Sequence, residues 1–287
     1  MRVAIIGSGG QLAYDLEQVY ADVDLVKITE QEMDVTDRNA VMAKLTGAKP
    51  DVIINTAAFH KVDDCEKNPF YSFDVNCYGA LNVARAAAEM GSACVFISTD
   101  YVFGGKKMTP YIEEDCPDPI SVYGASKVAG EIVTASCVPK HFIFRTTGLY
   151  GKNVSLKGHH FVGLMLKLGR ERDEVRVVTD QVLTPTSTLA LARKMREVIE
   201  AGHYGLYHLT CEGACSWYEF AREIFAQAGL TTKVTPTTSE EFKTVARRPA
   251  YSVLENRKLK SIGLSDMPNW QEALREYLTE MEVVKVG

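Results

Sequence analysis

The first half of the chain alternates short apolar runs with longer amphipathic stretches. The apolar runs predict strands at residues 2–6, 25–28, 51–54, 93–97 and 141–145. Apolar positions spaced three and four apart predict helices at residues 11–20, 39–45, 72–90 and 123–136. Strands that alternate with helices of this length imply right-handed crossovers and a parallel sheet covered on both faces. The pattern therefore predicts an α/β fold with a Rossmann-like, doubly wound parallel sheet.

The pattern is looser after residue 150. Further strands are predicted at residues 175–178 and 206–209, and helices at residues 161–169, 188–200, 217–228 and 270–281. We expect residues 1–150 to form the Rossmann domain and residues 151–287 to form mainly a smaller lobe. Elements at about 175–210 are expected to return to the main sheet.

Composition excludes several classes of protein. The chain has 287 residues, 46% of them hydrophobic, and a net charge of -5, so it lacks the basic excess that nucleic-acid binding requires. No apolar run reaches membrane-spanning length. Seven cysteines without a CxxC pair, and the absence of a secretory leader, favour a reducing cytoplasm. The adjacent His159 and His160 lack a third ligand at metal spacing, so no metal site is predicted.

A glycine-rich turn separates the first strand from the first helix. Its sequence is Gly7-Ser8-Gly9-Gly10-Gln11-Leu12-Ala13. Gly7 permits a tight turn, Gly10 lets the backbone approach a pyrophosphate, and the small Ala13 lets the helix pack closely on the strand. Free N–H groups and the dipole at the helix N-terminus favour negative charge. We therefore expect a dinucleotide cofactor to bind here.

The next two strands leave the choice between NADPH and NADH open. Proteins that prefer NAD place a carboxylate at the end of the second strand, but this strand ends at Ile28-Thr29. No arginine is an evident ligand for a 2′-phosphate, and Lys27 is either a substitute or a solvated strand residue. Asp34 either flanks the adenine or caps the following helix. The small Ala57-Ala58 pair after the third strand would let a cofactor approach the sheet.

Tyr123 and Lys127 form a YxxxK pair at the start of a predicted helix. This spacing places the phenol and the ammonium one turn apart on the same face. A phenol has a pKa near ~10, and a fixed positive charge nearby lowers it towards neutral pH. Thr99 follows the fourth strand, where its hydroxyl can donate to a substrate carbonyl. The combination predicts a site that reduces a ketone, with Tyr123 as the proton donor.

These segments resemble the dTDP-4-dehydrorhamnose reductase family, within the extended short-chain dehydrogenase/reductase superfamily. The most specific segment is Ser98-Thr99-Asp100-Tyr101-Val102-Phe103-Gly104. Further matching positions extend over almost the whole chain: Val62-Asp63 with Glu66, Asn76, Arg145-Thr146, Asp180-Gln181, Pro185-Thr186, residues 217–221 and Arg247-Arg248-Pro249.

The resemblance implies NAD(P)H-dependent reduction of the C4 ketone of a nucleotide-linked deoxysugar. The reaction would convert dTDP-4-dehydro-L-rhamnose to dTDP-L-rhamnose, a precursor of cell-surface polysaccharide. By position, Thr99, Tyr123 and Lys127 would be catalytic, and Thr99, Asp100 and Tyr123 would contact the substrate. Together with the turn, the expected cofactor contacts are Gly7, Gly10, Gln11, Leu12, Asp34, Val35, Ala57, Ala58, Phe59, Tyr123 and Lys127. The smaller lobe would bind the nucleotide sugar, and the resemblance allows a homodimer.

Two departures and two alternatives accompany this interpretation. The family commonly has tryptophan where this chain has Gly148, and glycine where it has Leu183. A related sugar-nucleotide dehydratase would carry an acid after Thr-Asp, whereas this chain has Tyr101, which favours a reductase; an epimerase shares the same motifs. A non-catalytic subunit such as the beta subunit of methionine adenosyltransferase also shares the fold, but the presence of all three catalytic residues favours an enzyme.

Overall fold

A computed structural model describes residues 1–153 and 160–283 of the chain. Its strands, in chain order, are β1 Arg2–Ile6, β2 Asp24–Ile28, β3 Val52–Asn55, β4 Ala93–Thr99, β5 His141–Thr146, β6 Leu149–Tyr150, β7 Glu174–Val178, β8 Val182–Leu183, β9 Thr186–Ser187, β10 Gly205–His208, β11 Cys215–Ser216 and β12 Lys233–Thr237.

Its helices, in chain order, are α1 Gln11–Val19, α2 Arg38–Ala48, α3 Val62–Lys67, α4 Pro69–Phe73, α5 Ala80–Met90, α6 Val122–Cys137, α7 Phe161–Glu171, α8 Thr188–Glu200, α9 Trp217–Gln227, α10 Arg257–Ser261 and α11 Trp270–Glu280. A π-helical turn lies at Asp74–Gly79 and a 3₁₀ turn at Asp100–Val102. Among the residues described, no helix combines the length and the apolar character needed to span a bilayer.

Six strands form the main sheet, in the order β10-β5-β4-β3-β1-β2, and every neighbouring pair is parallel. From β1 the chain passes to β2 on one side and then to β3 on the other side. The topological switch point therefore lies between β1 and β3, at the edge where the carboxyl ends of all these strands meet. The predicted Rossmann-like parallel sheet is confirmed.

Both faces of this sheet are buried, and β1 shows how. Val3 and Ile5 belong to the larger core cluster, which includes residues of α1, α7, α8, α9 and α11. Ala4 and Ile6 belong to the cluster on the opposite face, formed with α2 and α5. Because successive side chains of a strand point to opposite faces, a strand that is apolar at consecutive positions needs a covering layer on each side.

The second half of the chain contributes both to the main sheet and to smaller ones. β10 pairs with β5 at the edge of the main sheet, and α8 packs against α1. β7 instead pairs with β12 in a separate parallel ribbon. Two further ribbons join β8 to β11 and β6 to β9. Of the strands at about 175–210, β10 thus joins the main sheet, whereas β7 does not. The domain boundary at residue 150 stays a prediction.

The predicted helix at residues 72–90 is divided in the structure. α4 ends at Phe73, the π-helical turn follows, and α5 begins only at Ala80. A π-helical turn accommodates an extra residue without changing the residue types, so the apolar spacing does not reveal it. Such turns are frequent at functional sites, and this one contains Asn76, which contacts the loop after β3.

We expect Phe220→Ala to destabilise the protein by about 3–5 kcal/mol, because it would leave a cavity in the core. Phe220 is fully buried on α9, and its ring centroid lies 5.5–6.3 Å from those of Tyr150, Phe161, Trp217 and Trp270. Urea denaturation measures the change. The matched control is Phe242→Ala, since Phe242 is 62% exposed. Equal losses in the two variants would contradict the assignment of Phe220 to the core.

Candidate active site

The glycine turn ties β1 to its two neighbours at the switch point. Gly7 has a φ of +85°, and the N–H groups of Gly7 and Ser8 both donate to the Ile28 carbonyl, at 2.9 and 3.1 Å. A β-carbon at Gly7 would lie 2.7 Å from Thr56 Oγ1. Thr56 in turn donates from its N–H and its hydroxyl to the Ile6 carbonyl, at 3.0 and 2.7 Å. The position therefore requires glycine both for its backbone and for its surroundings.

The N-terminus of α1 is suited to an anion. Gly10 is the N-cap residue, no side chain caps the helix, and its first turn contains no acidic residue. Nε2 of Gln11 is buried without a hydrogen-bond partner among the described residues. Leu12 and Ala13 pack into the core below. Free N–H groups, the helix dipole and an unpaired amide fit the pyrophosphate of a dinucleotide, and the individual cofactor contacts stay predictions.

β2 ends without an acidic residue of its own, but the carboxylate of Glu32, from the turn that follows, lies at its end. The chain turns back after Ile28, and Glu32 Oε2 accepts hydrogen bonds from the Thr29 N–H and hydroxyl, at 2.9 and 3.0 Å. Its other oxygen lies 3.1 Å from Lys44 Nζ. The Thr29 N–H, followed by Lys44, lowers the pKa of Glu32 to about 2. Lys27 pairs with Glu17 at 2.7 Å.

Asp34 and Val35 occupy the loop before α2. Asp34 Oδ1 accepts from the N–H and the hydroxyl of Thr36, both at 2.8 Å, so it closes a local turn. The N-cap of α2 is Asp37, which accepts two N–H groups of the first turn. Val35 is buried, and its carbonyl accepts from Asn82 Nδ2 at 2.9 Å. The capping role thus belongs to Asp37, and a contact of Asp34 with adenine stays a prediction.

A buried amide holds the loop that follows β3. Asn76 accepts from the Phe59 N–H and donates back to the Phe59 carbonyl, both at 2.9 Å. Its Nδ2 also lies 2.9 Å from Ser126 Oγ on α6. The loop containing Ala57, Ala58 and Phe59 is therefore fixed to the helix that carries Tyr123 and Lys127. The sequence marked Asn76 only as a matching position, without this role.

α6 brings Tyr123 and Lys127 to the carboxyl edge of the sheet. Ser121 caps the helix by accepting an N–H at 3.1 Å. The Glu66 carboxylate of α3 accepts another N–H of the first turn at 2.8 Å. These two acceptors define where the helix begins and hence where its first side chains point. Lys127 is only 2% exposed, and its Nζ lies 4.1 Å from the centroid of the Phe96 ring.

Thr99 meets Tyr123 at the end of β4. The Thr99 hydroxyl is close enough to the Tyr123 phenol to lower its pKa. Thr99 Oγ1 also donates to Asp100 Oδ1 at 3.0 Å and accepts from the Tyr101 N–H at 3.2 Å. A hydroxyl has one proton, so Thr99 can donate either to Asp100 or to another acceptor at any moment. The structure thus brings the predicted Thr99, Asp100 and Tyr123 together. It also shows that Asp100 competes with any other acceptor for the Thr99 proton.

Burial dominates the protonation of these groups. It raises the pKa of Tyr123 far above its ordinary value, and the hydrogen bond with the neighbouring threonine lowers it only in part. Burial lowers the pKa of Lys127 to about 7, against the attraction of Glu131. It also raises the pKa of Asp100 to about 6. The net shift of Tyr123 is opposite to the lowering that we expected from Lys127, because burial and the charge of Asp100 both raise the pKa of the phenol.

A buried ion pair behind the site was missed by sequence reasoning. Glu131 of α6 accepts from Arg145 of β5, at 2.7 and 2.8 Å, and from the Ser98 hydroxyl of β4 at 2.5 Å. The spacing contained a signal for Glu131, because it stands four residues after Lys127, one turn further along the same helix. Arg145 and Ser98 were only matching positions of the resemblance.

The two departures from the family pattern contact each other. Gly148 has a φ of +59°, and a β-carbon there would lie 2.8 Å from Leu183 Cδ1. Leu183 is buried in β8 and therefore occupies space that a side chain at position 148 would need. The adjacent Thr147 and Ser252 both lower the pKa of Asp100, against the effect of burial. The small Gly148 and the large Leu183 thus fit together next to Thr147, a neighbour of the site.

The acidic and histidine residues singled out in the sequence make structural contacts. Within residues 1–153 and 160–283, no three His, Cys, Asp or Glu side chains are grouped so as to hold a metal ion. His160 Nδ1 accepts from the Gly163 N–H at 3.3 Å, at the start of α7, and His159 lies outside the described residues. Asp63 accepts the Ala246 N–H at 2.9 Å.

A parallel Rossmann-like sheet, a glycine turn at its switch point, and threonine, tyrosine and lysine side chains at one edge are features of the extended short-chain dehydrogenase/reductase class. The chain belongs to the family described as RmlD substrate binding domain, whose model matches residues 1–283.

Individual relatives agree with this assignment. The spore coat polysaccharide biosynthesis protein SpsK of Bacillus subtilis is 39% identical over 281 residues, 97% of each chain. The dTDP-4-dehydrorhamnose reductase of Sinorhizobium fredii is 39% identical over 287 residues, 96% of each chain. The solved structure of the Bacillus anthracis dTDP-4-dehydrorhamnose reductase, in complex with NADP, is 39% identical, with a TM-score of 0.94 over 97% of this chain and 99% of that chain. The resemblance to the reductase family is confirmed.

We expect Gly7→Ala to weaken NADPH binding by about tenfold or more, because the added methyl group would both strain the backbone and meet Thr56. Fluorescence titration of NADPH measures the affinity. The matched control is Gly9→Ala, since Gly9 has a similar φ of +86° but open space where its β-carbon would stand. A loss in Gly9→Ala as large as that in Gly7→Ala would show that contact with Thr56 is irrelevant.

Proposed function

We propose that the chain reduces the C4 ketone of a nucleotide-linked deoxysugar with NADPH or NADH, converting dTDP-4-dehydro-L-rhamnose to dTDP-L-rhamnose. The observation that carries the proposal is that Thr99 lies beside Tyr123 at the carboxyl edge of the sheet, with Lys127 one turn further along α6. The glycine turn lies at the same edge. Relatives named dTDP-4-dehydrorhamnose reductase match over almost their entire length, which supports both the reaction and the sugar.

Tyr123 is the proton donor in this proposal. Its raised pKa keeps the phenol protonated at neutral pH, as an acid requires. A bound dihydronicotinamide supplies the hydride to C4 of the sugar. Tyr123 then gives its proton to the C4 oxygen, so that a hydroxyl replaces the ketone. The charged form of Lys127, one helical turn away, stabilises the phenolate that remains.

Thr99 orients the ketone by donating to its oxygen. To do so, the Thr99 hydroxyl must break the hydrogen bond that it donates to Asp100 Oδ1 at 3.0 Å. Asp100 is buried, and it competes with the ketone for the Thr99 proton. The exchange of one acceptor for another keeps the Thr99 hydroxyl paired before and after the ketone arrives.

The end of β2 is compatible with either cofactor. Glu32 places a carboxylate where an NAD-preferring protein bonds the ribose 2′-hydroxyl. Lys44, 3.1 Å from Glu32, offers a cation that a 2′-phosphate would attract. The NADP complex of the Bacillus anthracis relative supports NADPH. Assays therefore use both cofactors.

The partners and the place of action are also proposals. A nucleotide sugar is the small-molecule partner, and the cytoplasm is the compartment in which nucleotide sugars and NAD(P)H meet. A homodimer is the assembly we propose, and sedimentation velocity on the purified protein tests it.

We expect the purified protein to oxidise NADPH or NADH when it is given dTDP-4-dehydro-L-rhamnose, with dTDP-L-rhamnose as the product. Loss of dihydronicotinamide absorbance measures turnover, and NMR identifies the product. A folded protein that binds the cofactor but does not turn it over would favour a regulatory subunit. A changed sugar without net consumption of the cofactor would favour an epimerase or a dehydratase.

We expect Tyr123→Phe to reduce kcat by about 10²–10⁴-fold, because the general acid is lost, with little change in cofactor affinity. The matched control is Tyr101→Phe. The Tyr101 ring lies edge-to-face with that of Tyr123 at 5.9 Å, so both changes remove a phenol hydroxyl from the same region. Turnover and NADPH titration are measured for both variants. Near-normal turnover by Tyr123→Phe would remove Tyr123 from the acid role.

A further inference from the structure

Glu131 and Arg145 form a buried ion pair directly behind the site. Their side chains are 6% and 3% exposed. Arg145 donates in a fork, from Nε to Glu131 Oε1 at 2.8 Å and from Nη2 to Oε2 at 2.7 Å. The Ser98 hydroxyl adds a third hydrogen bond to the carboxylate at 2.5 Å. The pair thus joins β4, β5 and α6, and Ser98 immediately precedes Thr99.

Stability alone is a weak explanation for this pair. Removing two charges from water costs about as much as their attraction returns, and apolar residues of similar volume often replace such pairs without loss. The pair is also imperfect, because Arg145 Nη1 is buried without a hydrogen-bond partner in the described part of the chain. A functional reason for keeping a carboxylate at this position is therefore to be sought nearby.

The nearby group is Lys127, one turn before Glu131 on α6. Lys127 is 2% exposed, and its ammonium lies over the Phe96 ring. The titratable or charged groups around it are Cys65 from α3, Tyr123 and Glu131 from its own helix, and Arg145 from β5. Glu131 is the carboxylate among them.

We propose that Glu131 is a positioning residue: fixed by Ser98 and Arg145, its carboxylate is the counter-charge that keeps the Lys127 ammonium charged beside Tyr123. The importance of this for catalysis rests on the proposed function, which assigns Lys127 to the phenolate.

The electrostatics agree with this geometry. Burial lowers the pKa of Lys127 to about 7, and the carboxylate of Glu131 opposes that effect. Lys127 is therefore charged below about pH 7 and loses its charge as the pH rises through that value. Without Glu131 the loss would occur at lower pH, and the ammonium would be largely absent at neutral pH.

The test measures the titration of Lys127 directly. Protein containing ¹³C-labelled lysine is titrated by NMR, and the Cε signal of Lys127 is identified by its loss in Lys127→Met. We expect Glu131→Gln to move the midpoint of this titration down by about one pH unit or more. The pH profile of kcat should move in the same direction, so that activity lost at neutral pH returns as the pH is lowered, whereas KM changes little.

A second variant covers the case in which Glu131→Gln leaves Arg145 unpaired and does not fold. Glu131→Gln combined with Arg145→Met removes both charges. We expect this variant to fold and still lower the Lys127 midpoint, because Glu131, unlike Arg145, is among the charges that shift the pKa of Lys127. The matched control is Asp266→Asn, which removes a partner of Lys194, another buried lysine, on α8. This change should leave the titration of Lys127 as in the wild type.

An unchanged Lys127 midpoint in a folded variant lacking Glu131 would overturn the proposal, even if activity fell. The NMR readout does not depend on the substrate. A wild-type protein without reductase activity would therefore contradict the proposed function, while the titration would still decide whether Glu131 controls the charge of Lys127.

Discussion

Burial of both faces of the six-stranded sheet is the constraint on which the rest of the structure depends. Val3 and Ile5 face one core and Ala4 and Ile6 face the other, so the central strand β1 has no free face to offer a ligand. The residues that bind ligands and react therefore have to lie in the loops beyond the carboxyl ends of the strands. The glycine turn, the Asn76-held loop and the Thr99 segment all lie there because parallel strands end on the same side.

The same exclusion of water governs the chemistry. Burial acts in opposite directions on a phenol and an ammonium, since each resists its charged form. Tyr123 is therefore kept protonated, which suits an acid, whereas Lys127 is pushed towards neutrality, which does not suit a residue that stabilises a phenolate. In our proposal the buried pair of Glu131 with Arg145 counters this effect. Its fixed carboxylate favours the charged form of Lys127 that burial disfavours.

Much of the fold could be predicted because its signals are local. The strands from β1 to β5 and most helices agreed to within a few residues, since apolar runs and helical periods are repeated over many positions. β12 was missed, because it is half exposed and contains Pro236, a residue that argues against a strand. The two-residue strands β6, β8, β9 and β11 are too short to show a pattern. The π-helical turn was missed because one extra residue leaves no mark on composition.

The features of the site also divide into those with a local sequence signal and those without one. The sequence by itself determined the glycine turn, the YxxxK spacing and Thr99 after β4, since each depends on residues close in the chain. Only the tertiary structure decided that Lys44 of α2 pairs with Glu32 and that Leu183 fills the space above Gly148. It also decided that Glu131 meets Arg145 behind Lys127. Such contacts join distant segments, and the loss of water that shifts the pKa of each group exists only once those segments pack together.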